Sequence, residues 1–230
     1  RSAVIVEGEL VGGECSYWAC MPSKALLRPV DLLAAARAVP GVAEAVSGPL
    51  NLEAVLARRD TFTHNRDDSS QVSWANSAGI DVARGRGRLA GEKTVEVTAP
   101  DGNSRTLEAR HAVVVATGTT AAVPPAPGLT EAQPWISRDV TNLREVPGRV
   151  LVIGGGVVAC EAITWLKGLG AQEITVIEAG PSLLAKQEPF AGELMAAQFE
   201  KLGIRLLLGA RVESVERPAA RDTGSGRIHG

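Results

Sequence analysis

The sequence predicts an α/β protein in which parallel strands are covered by helices. Three observations carry that expectation. From residue 149 onward strands alternate with helices, the pattern that joins parallel neighbours. Within that run an apolar strand passes through a glycine turn straight into a helix, at residues 150–161. The two halves of the chain also share one device, an apolar strand that stops on a glutamate, at Glu7 and at Glu178.

Taken in order, residues 2–7 read as a short buried strand and Val11-Gly12-Gly13 as a tight turn. Residues 20 to about 39 are rich in Ala and Leu, with Pro22 near the start, where a helix accepts proline. Residues 52–78 read as one long, charged helix. Strands are expected at 80–83, 94–98 and 106–109, with Asp101-Gly102 as the hairpin turn between the last two. Residues 112–116 form a fully apolar strand that runs into Thr117-Gly118-Thr119. Pro124, Pro125 and Pro127 make a stiff linker. Beyond Pro147-Gly148, strands at 149–153, 173–178 and 204–208 alternate with helices at 157–169 and 190–202.

Composition bounds the function. The chain has 230 residues, 45% of them apolar, enough for one large or two small cores. A net charge of −2 gives no electrostatic reason to expect nucleic acid or an anionic membrane as partner. No apolar run reaches the roughly 18 to 20 residues that cross a bilayer. Three cysteines are too few for a secreted disulfide scaffold, which favours a cytoplasmic setting. In a reducing compartment a close pair is catalytic or metal-binding rather than structural. The methionines are Met21 and Met195, the chain opens inside an apolar strand, and it stops in a polar stretch at 222–226. We therefore expect both ends to be cut from a longer protein.

Gly154-Gly155-Gly156-Val157-Val158-Ala159 fits the pattern G-x-G-x-x-A between a strand and a helix. Gly154 makes the tight turn, Gly156 lets the backbone approach a pyrophosphate, and Ala159 keeps helix and strand close. The helix start offers N–H groups and a positive dipole end to phosphates. Glu178 lies 24 residues past Gly154, close to the spacing of the acid that holds ribose hydroxyls. A carboxylate there repels a 2′-phosphate, which favours NAD over NADP.

Cys15 and Cys20 are spaced C-x4-C. In a regular helix their Cα atoms would stand about 8.6 Å apart, beyond the roughly 7 Å limit of a disulfide. If they bridge, the turn between them is compressed or bent. The pair could instead be half of a zinc site, although His64, His111 and His229 are scattered and no second cluster exists. Two buried, unpaired thiols are a third reading. No metal is expected. Cys160, among Val158, Ala159 and Ala162, reads as a small buried apolar residue.

Gly12-Gly13-Glu14-Cys15, then Cys20-Met21-Pro22-Ser23-Lys24-Ala25-Leu26-Leu27, resembles the active-site segment of the flavin-dependent pyridine nucleotide-disulfide oxidoreductases. Val114-Val115-Ala116-Thr117-Gly118-Thr119 resembles the second flavin-binding segment of that family, and Pro125-Ala126-Pro127-Gly128-Leu129 the segment after it. The Gly154 loop and Glu178 follow in the expected order. The resemblance covers residues 4 to about 215.

It implies two Rossmann-like, three-layer nucleotide-binding domains. An FAD domain with an added β-meander would span 1–146, without its first strand and glycine loop, and an incomplete NAD domain 147–230. A C-terminal interface domain, through which such proteins form homodimers, would lie outside the chain. Cofactors would be FAD and NAD. Glu7 would bind the adenosine ribose of FAD, Gly12 and Gly13 would lie along the flavin nucleotide, and Gly87 would meet the adenine. Thr117, Gly118 and Thr119 would pack along the FAD. Lys24 would stand near the flavin ring, where a cation stabilises a reduced, anionic ring. Glu161 would pair with Lys24, unless it is an ordinary helix-surface glutamate. Val212 would contact the adenine of NAD.

The implied chemistry is a redox-active Cys15–Cys20 disulfide, reduced through Cys20 by a flavin that NADH has reduced. Cys15 then attacks a small-molecule or protein disulfide. Dihydrolipoamide dehydrogenase-like action is the leading expectation. Mercuric-reductase-like reduction of a metal ion is the alternative, and a non-catalytic FAD- and NAD-binding redox sensor is the other class. Tyr17 and Trp18 replace the smaller residues usual between the two cysteines and bear on the substrate. No histidine matches the family's proton-transfer motif. The 230 residues alone are expected to hold flavin weakly.

Overall fold

Glycine turns and proline breaks divide the chain into short elements. A computed structural model describes residues 2–217 and the backbone of 227–229. The polar stretch 222–226 and the side chain of His229 lie outside the described residues. The first elements are β1 (Ala3–Glu7), α1 (Gly13–Tyr17), α2 (Cys20–Arg37), α3 (Leu52–Phe62) and α4 (Ser69–Ser77). β2 (Ile80–Arg84), β3 (Arg86–Gly91), β4 (Thr94–Thr98) and β5 (Ser104–Glu108) come next, then α5 (Ser137–Thr141). β6 (Arg149–Ile153), α6 (Val157–Gly168), β7 (Glu173–Glu178), α7 (Pro189–Lys201) and β8 (Arg205–Leu208) follow, and then β9 (Ser214–Glu216) and β10 (Arg227–His229). Among the described residues no helix is long and apolar enough to cross a membrane.

The chain forms two compact units, residues 1–21 with 60–120, and residues 22–59 with 121–230. In the first unit β1 and β2 pair in parallel, with Ala3 opposite Ile80 and Glu7 opposite Arg84. β3, β4 and β5 form the antiparallel meander that the resemblance implies. Its hairpin turns where expected: Asn103 N–H donates to Asp101 Oδ1 at 2.9 Å. β3 was not legible in the sequence, because Gly87 and Gly91 have low strand propensity. Pairing with β4 overrides that preference.

In the second unit β6, β7 and β8 are parallel in that order, with Arg149 opposite Glu173 and Thr175 opposite Arg205. α6 and α7 bury Ile163, Trp165, Leu166 and Phe199 beside Ile174 and Val176 of β7. Leu26 of α2 and Val55 and Leu56 of α3 join the same core. Those helices therefore group with the β6–β8 sheet, although they precede it by about a hundred residues. Arg59 is 1% exposed, and its Nη1 donates to the Thr141 and Leu143 carbonyls at 2.7 and 3.1 Å. This ties α3 to the end of α5, a helix the sequence reading missed.

Three expectations are corrected. The long helix at 52–78 is broken between α3 and α4, where His64, Asn65 and Arg66 take left-handed φ values of 49°, 51° and 61°. Short polar side chains compete with the helix ladder there: Ser69 N–H donates to Asp67 Oδ1 at 2.9 Å, and α4 restarts. Residues 112–116 form no strand; Val114 and Val115 are 84% and 65% exposed. An apolar run becomes a strand only beside an edge that takes its N–H and C=O groups. Among the described residues the β1–β2 sheet has two strands and pairs with none of this run. β1 is not fully buried, since Val4 is exposed on a sheet of only two strands.

Candidate nucleotide loop and cysteine turn

β6 leads into the glycine loop. Gly154 turns the chain at φ +102°, and its N–H donates to the Ile177 carbonyl at 2.8 Å, joining the loop to β7. Gly155 N–H donates to Glu178 Oε2 at 2.6 Å. A Cβ on Gly155 would lie 2.6 Å from Leu183 Cδ2 and 3.2 Å from Glu178 Oε2, so only glycine fits without displacement. Gly156 caps α6, and nothing lies within 4 Å of the place a Cβ would take. Ala159 is half-buried against the core. The second Glu178 oxygen, Oε1, accepts the Gly180 N–H at 2.6 Å. Gly209 N–H to the Gly180 carbonyl (2.8 Å) and Ala210 N–H to the Glu178 carbonyl (3.1 Å) bring the chain after β8 beside this end of β7. Half-buried Val212 follows two residues later.

The loop therefore combines an open glycine at the N-terminus of a twelve-residue helix with a carboxylate at the end of the next strand. That donor set fits a dinucleotide, the helix start taking phosphate oxygens and the carboxylate taking hydroxyls. The sequence pattern leaves its second position open and so missed Gly155. The third consecutive glycine was the available signal.

Cys160 is buried in α6, as expected, with its Sγ 3.6 Å from the Gly155 carbonyl oxygen. Burial, then the nearby Glu178 charge, push its thiol up to about 11. It stays a neutral thiol and packs as a small apolar group. A thiol whose pKa is higher folded than unfolded stabilises the fold below the unfolded pKa, and that contribution is lost as pH rises through the folded one. We expect stability to fall between about pH 9 and about pH 11. Urea midpoints across that range should fall less steeply in Cys160→Ala than in the parent chain.

The cysteine turn begins at Gly12 and Gly13, both left-handed, with φ +120° and +58°. Cys15 lies in α1, and Cys20 is the first residue of α2. Between them Trp18 leaves helical geometry, at φ −127° and ψ −17°. Trp18 N–H and Ala19 N–H both donate to the Glu14 carbonyl, at 2.8 and 2.6 Å, so the last turn is widened by one residue before the chain breaks. This is a departure from regular helix of the kind the C-x4-C spacing calls for if the two bridge. Both cysteines are exposed, which sets aside the buried-thiol reading.

Distant residues grip this turn. Tyr17 is 2% exposed, and its hydroxyl donates to the Val11 carbonyl at 3.2 Å. Burial, then the charges of Asp68 and Asp67, hold the Tyr17 pKa above its ordinary value. Asp68 Oδ2 accepts the Val11 N–H at 2.6 Å and Arg84 Nη2 at 2.5 Å. Burial works to raise the Asp68 carboxyl, but the Arg84 and Val11 hydrogen bonds and the Arg84 charge outweigh it and leave the pKa below the usual value. The Arg66 guanidinium carbon lies 4.4 Å from the centre of the Trp18 ring. Sequence reading missed Arg66, Asp68 and Arg84, because these partners lie about fifty residues or more away and leave no local pattern.

Glu7 Oε1 accepts the Glu9 N–H at 2.7 Å, the same two-residue closure that Glu178 makes with Gly180. Gly87 lies on exposed β3. Thr117, Gly118 and Thr119 are exposed and in no regular element. In the second unit Lys24 pairs with Glu161, as the resemblance implies.

The chain matches, over residues 2–227, the family described as pyridine nucleotide-disulphide oxidoreductase. A dihydrolipoyl dehydrogenase of Chlamydia muridarum is 33% identical over 220 residues, 94% of this chain and 46% of the relative. A mercuric reductase of Shewanella putrefaciens is 30% identical over 222 residues, 95% of this chain and 39% of the relative. The crystal structure of LpdA from Mycobacterium tuberculosis superposes with a TM-score of 0.80 at 25% identity, covering 99% of this chain and 50% of that one. A cysteine-to-serine mutant of the Escherichia coli flavoprotein disulfide reductase RclA, in its Cu(II) complex, gives a TM-score of 0.80 at 20% identity, covering 98% of this chain and 47% of that one, and shows the shared fold. The chain thus spans about half the length of these proteins or less.

Proposed function

The chain belongs to the pyridine nucleotide-disulphide oxidoreductase family, and on that premise we propose that it is the part of a flavin-dependent oxidoreductase that carries the redox-active pair Cys15 and Cys20. The observation that supports this most is the cysteine turn: two exposed cysteines on successive helices, separated by a break that ordinary helix geometry does not contain. FAD, when bound, carries an electron pair from NADH to the disulfide. Cys20 is the cysteine that would accept the pair from it. Cys15 is the thiolate that attacks a substrate disulfide, and Cys20 then attacks the Cys15 sulfur of the mixed disulfide, re-forming the Cys15–Cys20 bond and releasing the substrate as a dithiol. Residues 1–146 serve FAD and 147–230 serve NAD. Glu7, Gly12, Gly13, Gly87 and Thr117–Thr119 would hold the flavin nucleotide, and Lys24, paired with Glu161, would supply a cation that stabilises the reduced ring.

The substrate class is a dithiol or disulfide, as the name of the chlamydial relative suggests. In the cell the protein is cytoplasmic and acts as a homodimer. The test is NADH-dependent reduction of lipoamide by the FAD-loaded protein, with mercuric ion offered in parallel. Turnover of the metal ion alone would replace this reading with that of the mercuric reductase relatives.

Glu178 selects NAD, because its carboxylate accepts ribose hydroxyls and repels a 2′-phosphate. Glu178→Ala should weaken NADH binding about tenfold, the effect of losing roughly 1.4 kcal/mol, and leave NADPH binding unchanged or tighter. Fluorescence titration with both nucleotides checks this, and equal losses for the two would remove the selectivity argument.

A further inference from the structure

The contact between Arg66 and Trp18 is not accounted for by cofactor binding or by the chemistry proposed for Cys15 and Cys20. Arg66 ends a run of three successive non-glycine residues in left-handed backbone, with φ of 49°, 51° and 61°. Each such residue costs about 1–2 kcal/mol, and runs of this kind persist where the surroundings hold them. Arg66 N–H to the Thr63 carbonyl (2.8 Å) and Asp67 N–H to the His64 carbonyl (2.9 Å) close the turn. It presents the Arg66 guanidinium to the Trp18 ring at 4.4 Å. Two residues on, Asp68 accepts the Val11 N–H at 2.6 Å. One six-residue segment, 63–68, therefore grips both ends of the stretch from Val11 to Trp18 in which Cys15 lies.

Trp18 is the residue at which α1 stops. Without that stop, α1 and α2 would run together as one helix, and the two Cα atoms would stand about 8.6 Å apart, too far to bridge. We propose that Arg66 is a positioning residue for the cysteine turn: stacked on Trp18, it holds open the break that lets Cys15 and Cys20 form a disulfide. The inference rests on the redox reading of that pair. It makes Arg66 and Trp18 a coupled unit, and it gives a reason for the bulky Trp18 in a turn where smaller residues are usual.

The experiment is a glutathione redox titration of the chain, read as the mass of Cys15 and Cys20 after thiol alkylation. Oxidised glutathione takes two electrons and the two thiol protons from the pair and leaves as two reduced molecules. Arg66→Ala should lower the equilibrium constant for the disulfide about three- to fivefold, the range of one exposed cation–π contact, or about 15 to 20 mV for this two-electron couple. Arg66→Lys should fall between. Trp18→Leu should lower it by a similar factor, and the double variant no further, because the two side chains act as one contact. Where Arg66→Ala is not folded by circular dichroism, Arg66→Met takes its place.

A disulfide that forms with the same constant in parent and variants overturns the positioning role and leaves the redox reading standing. So does a higher constant in Arg66→Ala, or fully additive losses in the double variant. If the parent forms no Cys15–Cys20 disulfide at any glutathione ratio, the redox reading fails and the inference with it.

Discussion

Serine at Cys20 is expected to reduce NADH-driven disulfide reduction by about a thousandfold or more, the order seen when a nucleophile is deleted, without changing nucleotide affinity. Oxygen in place of sulfur cannot form the disulfide, so no electron pair reaches Cys15. Cys15→Ser should lose substrate turnover as completely, yet leave a thiol at position 20. The two variants differ in what a thiol reagent finds: one exposed cysteine in each, at opposite ends of the break after Tyr17. Cys160, buried and held protonated, should stay unlabelled in both until the chain unfolds. Stopped-flow measurement on the FAD-loaded protein separates the steps. Normal turnover in either serine variant would remove the proposed mechanism.

Arg59→Ala should destabilise the chain by about 3 kcal/mol or more, for two reasons that add. The arginine side chain fills space in the core, and emptying it leaves a cavity of the kind that costs about 2–5 kcal/mol. Its Nη1 is also donor to two carbonyls, Thr141 and Leu143, and a buried acceptor without its donor costs about 1–3 kcal/mol. In urea the midpoint should fall by about 1 M or more. Arg59→Met, which keeps most of the volume but neither hydrogen bond, separates the contributions. A midpoint for Arg59→Met equal to that of the parent would show that packing alone matters.

The second half of the fold was legible because its signals are local. The strand–turn–helix at Gly154 and the acid at Glu178 lie within one βαβ unit, and short-range periodicity marks each piece. β6, α6, β7, α7 and β8 all stand within a few residues of their expected bounds. The expected pairing of Lys24 with Glu161 came from resemblance and could not have come from spacing, since the partners are 137 residues apart. The failures had the opposite character. Nothing in the periodicity of 52–78 marks the left-handed trio at 64–66, because His, Asn and Arg are tolerated in a charged helix. The apolar run at 112–116 reads as a strand on composition, but a strand also needs a neighbouring edge, and that is a property of the sheet. The grip on the cysteine turn stayed hidden for the same reason, since Arg66, Asp68 and Arg84 meet it only in space.

The two hydrogen bonds that Glu178 receives from Gly155 and Gly180 bear on how tightly it would hold a nucleotide bound there as proposed. A glutamate side chain left loose would lose rotamer freedom on meeting a ribose, a cost of about 0.5–1.5 kcal/mol. Here each oxygen is already held by one backbone N–H. An ionised carboxylate has about four acceptor positions, so two remain for hydroxyl groups after the loop has taken its share. The orientation entropy is therefore spent during folding, and a nucleotide bound there as proposed would meet a carboxylate already oriented before contact.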